Sequence, residues 1–199
     1  PGNSEVVHHT IIVAVPPGAA DFLDEQDEEY GYECFGGFGI DETTDLLGGY
    51  APGSKPNKWS NGLAQSIPAG WDLVAQMHYA PVSEDMEDQS EINIFLADEN
   101  DVERVIESFT MIDPNISIPP HEIIEVVNTQ YVPFDISVVS FFPHSHLIGH
   151  SWEIYALTPN DEIIPFIRIN DWDFDWQNYY YPEKMLYVPA GSTIYASAT

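Results

Sequence analysis

Residues 6–15 read VVHHTIIVAV, and this stretch decides the fold class. It has the length of a β-strand and is dominated by β-branched residues. Seven further runs have the same character, and turn-forming Pro and Gly residues, sixteen and thirteen in all, separate them. They are Trp71–Tyr79, Ile92–Ala97, Ile123–Val127, Ile136–Phe142, Ser151–Leu157, Ile163–Ile169 and Ser192–Ala196. Helical periodicity is weak, and Asp101–Phe109 has room for only a turn or two. The pattern predicts an all-β protein, built as a sandwich or jelly roll.

A domain boundary is expected between residues 98 and 118. Asp98-Glu99-Asn100-Asp101 is a polar break, and the Pro-containing stretch from Asp113 to Pro120 predicts an extended segment that leads into a second set of strands. A chain of 199 residues can form two small domains, each with its own core. We therefore expect two tandem antiparallel β-sandwich domains, 1–108 and 109–199.

Charge is the most uneven property of the sequence, with 33 acidic residues against five basic ones and a formal net charge of −28. Binding to nucleic acid requires clustered Lys and Arg, so it is excluded, and anionic membrane surfaces are disfavoured for the same reason. No run of eighteen apolar residues is present, so no membrane insertion is expected. The acidic run Asp21–Glu29 has two interpretations, a solvated surface or a calcium site; its spacing lacks the glycine of a calcium loop, which favours the first.

Five of the seven histidines fall into patterns that metal sites use: His8-His9 at the start of an apolar strand, His78 in Gln76–Tyr79, and His144-Ser145-His146 after a strand. Residues i and i+2 of a strand lie on one face, roughly 7 Å apart, so an H-x-H pair can converge on one ion. Adjacent histidines point to opposite faces, so His8 and His9 can share a metal only if the strand is bulged or just beginning there.

His78 can complete that site only if the fold brings its strand alongside. The ligand types leave zinc, copper, iron and nickel open. His121, in the Pro119-Pro120 loop, and His150, after Gly149, are interpreted as ordinary structural residues.

Several motifs together resemble one family, the ascorbate-dependent type II copper monooxygenases that include peptidylglycine hydroxylating monooxygenase and dopamine β-monooxygenase. The likeness is greatest to the bacterial relatives. The motifs follow the family's order and cover nearly the whole chain: Pro1–His9, Cys34-Phe35-Gly36-Gly37, Gly49–Gly53, Ile67–Gly70, Gln76–Tyr79, Phe142–Gly149 and Val188–Ser192.

The resemblance implies that His8, His9 and His78 hold an electron-supplying copper in domain 1–108. It implies further that His144 and His146 hold the copper of domain 109–199 that binds O2 and attacks the substrate. Gln76 is expected to support the first site from behind its ligands. The implied activity is hydroxylation of a C–H bond with O2 and ascorbate, by an extracellular or periplasmic enzyme acting on a small molecule.

Some positions depart from the family's pattern. The family's second copper also takes a methionine sulfur from a segment downstream of the Pro-Ala-Gly strand, and the chain ends at Thr199 before such a segment, so the second site is expected to be incomplete as it stands. Phe142 occupies the place where peptide-amidating members have a substrate-binding arginine, which argues against peptide amidation.

Two further stretches are interpreted through the resemblance. Cys34, the only cysteine, resembles a disulfide cysteine whose partner lies upstream of Pro1; from composition alone, a buried thiol is equally open. Asp171–Gln177 is interpreted as an ordinary structural strand. Both ends of the chain are thus expected to continue, with further domains as potential partners.

Two alternatives to the enzyme remain. One is a copper-binding or electron-transfer module without hydroxylase activity, and the other is a structural β-sandwich module of a larger extracellular assembly.

Overall fold

A computed structural model describes residues 1–28, 30–34, 36–40, 45–113 and 115–199. Strands make up 32% of the chain and helices 4%, which confirms the all-β prediction. The chain divides into two compact units, Pro1–Ser108 and Phe109–Thr199. Parts of three predictions lie outside the described residues: Glu29 of the acidic run, Phe35 of the Cys34–Gly37 motif, and Pro114 of the boundary segment.

The described residues of the first unit form five strands, a one-turn α-helix and a short 3-10 helix. The strands are β1 (Val7–Val15), β2 (Asp45–Tyr50), β3 (Leu63–Gln65), β4 (Asp72–Tyr79) and β5 (Arg104–Ile106); the helix α1 is Asp21–Asp24 and the 3-10 helix is Glu99–Asp101. Strand β1 lies between β2 and β4 in an antiparallel sheet, while β3 and β5 form a separate parallel pair.

The central position of β1 follows from its composition. Its C-terminal half, Val13-Ala14-Val15, is buried, with at most 2% of each residue exposed, and Val7 at the other end is equally buried. A strand so rich in apolar β-branched residues gains most when both of its edges are hydrogen-bonded and covered. His8 and His9 lie between these two buried ends of β1.

In the second unit, the part of the chain that the structure describes forms six strands in two antiparallel sheets. The strands are β6 (Val126–Tyr131), β7 (Ile136–Val138), β8 (Trp152–Leu157), β9 (Ile163–Ile169), β10 (Leu186–Val188) and β11 (Thr193–Ala198). One sheet has the order β6-β11-β8-β9, and the other pairs β10 with β7. Both sheets contribute to one apolar core, made of Val132, Ala156, Val188 and Ile194.

Three local predictions were wrong. No strand forms over Ile92–Ala97, and the predicted strand Ile136–Phe142 ends at Val138, with Phe141 making only an isolated bridge. Asp101–Phe109, which had room for only a helical turn or two, contains the short strand β5. Asp171–Gln177 is a turn, not a strand, because the side chain and backbone carbonyl of Asp173 accept hydrogen bonds from the backbone N–H groups of Asp175 and Trp176.

The single cysteine is also placed by the fold. Cys34 is a free thiol and is exposed, so the interpretation of a buried thiol was wrong.

Candidate metal centres

A bulge in β1 brings its two adjacent histidines to one side. The pairing of β1 with β4 runs regularly from Val15 to His9 and then shifts between Val7 and His9, so His8 is the extra residue of the bulge. A bulge re-aims the side chains around it. This is the distortion that the sequence required if His8 and His9 were to share an ion.

The same pairing supplies the third histidine. His78 lies directly opposite His9 in the β1–β4 register, although 69 positions separate the two residues along the chain. Beside this pair, on the opposite face of the sheet, the Thr10 hydroxyl donates a hydrogen bond to the Met77 sulfur at 3.3 Å. Thr10 is only 7% exposed, and this contact holds β1 and β4 together directly next to the histidines.

The three imidazoles converge through one type of nitrogen. His9 Nδ1 lies 3.1 Å from His8 Nδ1 and 3.1 Å from His78 Nδ1. The ring centroids are 4.5–5.3 Å apart, and one ligand atom from each residue lies within 4.8 Å of the others. Among the described residues this is the one group of three or more His, Cys, Asp or Glu side chains that could hold a metal ion.

The spacing of these nitrogens fits a metal ion. Two imidazole nitrogens bound at about 2.0 Å with a tetrahedral angle between them lie roughly 3.3 Å apart, and the observed 3.1 Å is close to that value. His8 and His9 are half-buried and His78 is exposed, so the group is open to solvent on one side. An all-imidazole set suits zinc, copper, iron and nickel.

Gln76 lies two residues before His78 on β4 and so shares its face of the strand. Its side-chain amide donates a hydrogen bond to the backbone carbonyl of Gly37. The contact ties the segment around Gly36-Gly37 to the strand that carries His78. The expected support of the three histidines by Gln76 stays a prediction.

The second pair of histidines lies in a loop, not at the end of a strand. The isolated bridge between Phe141 and Tyr180 precedes it, and His144 and His146 follow in irregular backbone. Their ring centroids are nevertheless 5.1 Å apart, with the ring planes at 81°. The two rings therefore lie close together, although the strand that was expected to aim them ends at Val138.

Contacts with the rest of the unit hold this loop in place. The Trp152 indole N–H donates to the Ser145 hydroxyl at 2.9 Å, which fixes the residue between the two histidines. Gly149 closes the loop tightly: a Cβ there would lie 2.5 Å from the Ser145 Cβ and 3.1 Å from Trp172 Cδ1. Only glycine fits such a close approach.

Gln177 contacts the second pair directly, and sequence reasoning missed it. Its side-chain oxygen lies 2.6 Å from His144 Nδ1, and the residue is 7% exposed. The run Asp171–Gln177 was interpreted as structural through the family resemblance, in which a similar run is an ordinary strand. A buried amide close to an H-x-H pair in space leaves no signal in the sequence when 33 residues separate them.

The environment favours a neutral His144. Burial of the ring lowers its pKa below the ordinary 6.5; the hydrogen bond to Gln177 acts in the opposite direction, and the nearby His146 lowers it further. A metal ligand must be an unprotonated imidazole nitrogen, so this environment suits coordination.

His121 and His150 lie outside both groups of ring contacts in the part of the chain that the structure describes. His121 is exposed and has a left-handed backbone, with φ of 64°. His150 lines a cavity of about 250 Å³ in the second unit, together with Glu153 and Arg168. Its backbone carbonyl accepts a hydrogen bond from the Trp172 backbone N–H at 2.7 Å.

The acidic run is a solvated surface over the residues that the structure describes. Asp21–Asp24 form the one-turn helix α1, and none of its residues is buried. The Asp24 carboxylate accepts a hydrogen bond from the Gly31 backbone N–H at 2.9 Å, which is a local turn contact.

Comparison with known proteins assigns this chain to no family. No protein-family model matches this chain, and no curated protein matches its sequence. Within the described ranges, none of the helices has the length and apolar character needed to cross a bilayer.

Proposed function

We propose that the chain is the copper-binding core of an ascorbate-dependent monooxygenase that hydroxylates a C–H bond of a small organic molecule. The observation that carries the proposal is the convergence of the Nδ1 atoms of His8, His9 and His78 at a β-bulge. The motif resemblance, with its order of seven segments, supplies the choice of copper over zinc, iron and nickel. On this proposal the two units are the two copper domains, each built as a β-sandwich, and the enzyme works outside the cytoplasm.

Each histidine group has a distinct task in this proposal. Copper supplies one-electron redox chemistry at the first group and activation of O2 at the second. His8, His9 and His78 would hold a copper ion with three imidazoles on the hydrogen-bonded pair of strands β1 and β4, which suits a site that only passes electrons. His144 and His146 provide two nitrogens and leave the remaining positions free for a further ligand and for O2. Overall, RH, O2, two electrons and two protons give ROH and water, and ascorbate supplies the electrons.

The surroundings of the second pair indicate the class of substrate. Phe142 packs against Tyr179 with ring centroids 4.7 Å apart, and Leu147 and Ile148, directly after His146, are 78% and 75% exposed. These residues offer apolar and aromatic surface, and the chain as a whole has only five basic residues. A neutral or cationic small molecule therefore suits the site better than a carboxylate, in agreement with Phe142 standing where peptide-amidating relatives have arginine.

A second candidate is a copper-binding or electron-transfer module without hydroxylase activity. One observation favours it: the first group offers three converging ligands, whereas the second offers two imidazoles among the described residues. Ascorbate-dependent O2 consumption that depends on an added organic substrate and yields a hydroxylated product separates the enzyme from the module.

Copper titration read by Cu(II) EPR tests the proposal. The wild-type chain should bind two ions at sites with nitrogen ligands, and His9→Ala and His146→Ala should each abolish one of them. His121→Ala, a histidine outside both groups, is the matched control and should bind two ions. If micromolar copper fails to bind, or if the variants and the control lose copper equally, the metal assignment is wrong.

A further inference from the structure

Gln177 is a buried amide whose two ends are both occupied. Its Oε1 lies 2.6 Å from His144 Nδ1, and its Nε2 donates a hydrogen bond to the Phe174 backbone carbonyl at 2.8 Å. With 7% of the residue exposed, water cannot replace either contact at low cost. The turn over Asp171–Gln177 brings the Phe174 carbonyl back toward the glutamine three residues later.

The contact with Phe174 determines which end of the amide faces the histidine. A backbone carbonyl oxygen accepts hydrogen bonds only, so it must face the amide NH2 group. If the amide were turned over, two acceptor oxygens would meet at 2.8 Å, and the N–H donors would face His144. The amide oxygen therefore faces Nδ1 of His144.

This orientation sets the proton position on the imidazole. An amide oxygen has no hydrogen to donate, so a hydrogen bond of 2.6 Å requires the proton to be on Nδ1. A neutral imidazole carries only one N–H, so Nε2 is then left with a free lone pair. An unrestrained imidazole in water prefers the opposite tautomer, with the proton on Nε2.

We propose that Gln177 is a positioning residue that holds His144 as its Nδ1–H tautomer and thereby presents Nε2 to a metal ion shared with His146. Histidine ligands commonly use their second nitrogen in this way, and loss of the partner weakens metal affinity by about 10–100-fold. The metal part of this inference rests on the proposed function, whereas the tautomer does not. The first group differs, because there the Nδ1 atoms themselves converge.

The neighbouring contacts explain why one amide is enough. Trp152 holds Ser145, and Gly149 allows the loop to close over it, so the backbone of the pair is already restrained. What remains free in His144 is the rotation of its ring and the choice of tautomer. The hydrogen bond that His144 donates to Gln177 removes both freedoms.

Long-range 1H–15N NMR of the metal-free chain, labelled on histidine, reads the tautomer of His144 directly. The wild type should have the proton on Nδ1. Gln177→Leu and Gln177→Met, which both remove the acceptor, should shift His144 toward the Nε2–H form. Gln130→Leu replaces an exposed glutamine of β6 and is the matched control with no expected change.

Copper titration of the same four proteins provides the second measurement. Gln177→Leu should weaken Cu(II) binding at the second pair by about tenfold or more, with no change at the first group. An Nε2–H tautomer in the wild type, or an unchanged tautomer in a folded Gln177→Leu variant, overturns the inference. Absence of copper at the second pair of the wild type would count against the proposed function, and the tautomer would still decide the role of Gln177.

Discussion

Loading of the first metal group should stabilise the unit that contains it, and His9→Ala should abolish the effect. The group joins β1 to β4, whose paired residues His9 and His78 are 69 positions apart in sequence. In the unfolded chain His78 is far from the His8-His9 pair, so the three-nitrogen site exists only in the folded state. An ion that binds the folded state preferentially stabilises it by mass action. His9 is the residue to change because its Nδ1 lies 3.1 Å from both of the others.

The magnitude follows from this linkage. At a free copper concentration 100-fold above the dissociation constant, binding adds about 2.7 kcal/mol to the free energy of unfolding. For a domain of roughly 100 residues, 1 kcal/mol shifts Tm by about 4–8 °C, so the shift should be about 10–20 °C. Residual copper binding by the adjacent His8-His9 pair in the unfolded chain places the observed value toward the lower end of this range.

Differential scanning calorimetry with and without copper measures the shift, since the two units can give separate transitions. The wild type and His121→Ala should show it in one transition, and His9→Ala should lose nearly all of it there. Equal shifts in the wild type and His9→Ala would refute the reasoning, because stabilisation would then arise from copper bound elsewhere. No shift in any protein at saturating copper would also refute it, since the bridge between β1 and β4 would then be absent.

Three further changes test other parts of the fold. Gly149→Ala should abolish copper binding at the second pair, read by EPR, because the new Cβ would lie 2.5 Å from the Ser145 Cβ and displace the loop. Gly49→Ala should lower the free energy of unfolding by about 1–3 kcal/mol in urea titrations, because its methyl would overlap a carbonyl oxygen of β1; an unchanged midpoint would contradict the packing of β2 on β1. The hydrogen bond from the Ala190 backbone N–H lowers the pKa of Asp135 below its ordinary 3.8. The contribution of Asp135 to the free energy of unfolding is therefore full above pH 3.8 and is lost as the pH falls through the lower pKa of the folded state. In Asp135→Ala the free energy of unfolding should fall less steeply with decreasing pH in the acid range. A fall as steep as that of the wild type would argue against the contact.

Strands with long apolar β-branched runs were predictable from the sequence. Ile163–Ile169 was predicted and observed with the same bounds, and β1 and β4 each begin within one residue of the prediction. Local sterics favour extended backbone in such runs whatever their partners are.

Strands whose stability comes from their neighbours were not predictable. Strand β2, DLLGGY, contains two glycines and an aspartate, and it is a strand because its backbone pairs with β1. Ile92–Ala97 is the opposite case: its composition is typical of a strand, yet it pairs with no other described segment and Phe95 is 93% exposed. Strand pairing depends on which segments lie beside each other in the fold, and this cannot be read from the sequence of one segment alone.

The same distinction between local and tertiary information applies to the candidate metal sites. The sequence by itself determined which side chains are chemically able to bind a metal, because ligand type is a property of the residue: five imidazoles, in a His-His pair, an H-x-H pair and a single residue. The sequence also implied that His8 and His9 could share a metal only if the strand is bulged or just beginning there, because side chains of adjacent residues in a regular strand point to opposite faces.

Only the tertiary structure decided that this condition is met. The bulge at His8 and the placement of His78 opposite His9 are consequences of the register between β1 and β4, which is set by backbone hydrogen bonds between distant segments. The contact of Gln177 with His144 arises in the same way, because the fold brings the turn that ends at Gln177 next to a residue 33 positions earlier in the chain. The chemistry of a side chain is a property of its own residue, whereas distances between remote residues follow from the packing of the whole unit. The candidate ligands could therefore be named from the sequence, and their geometry could not.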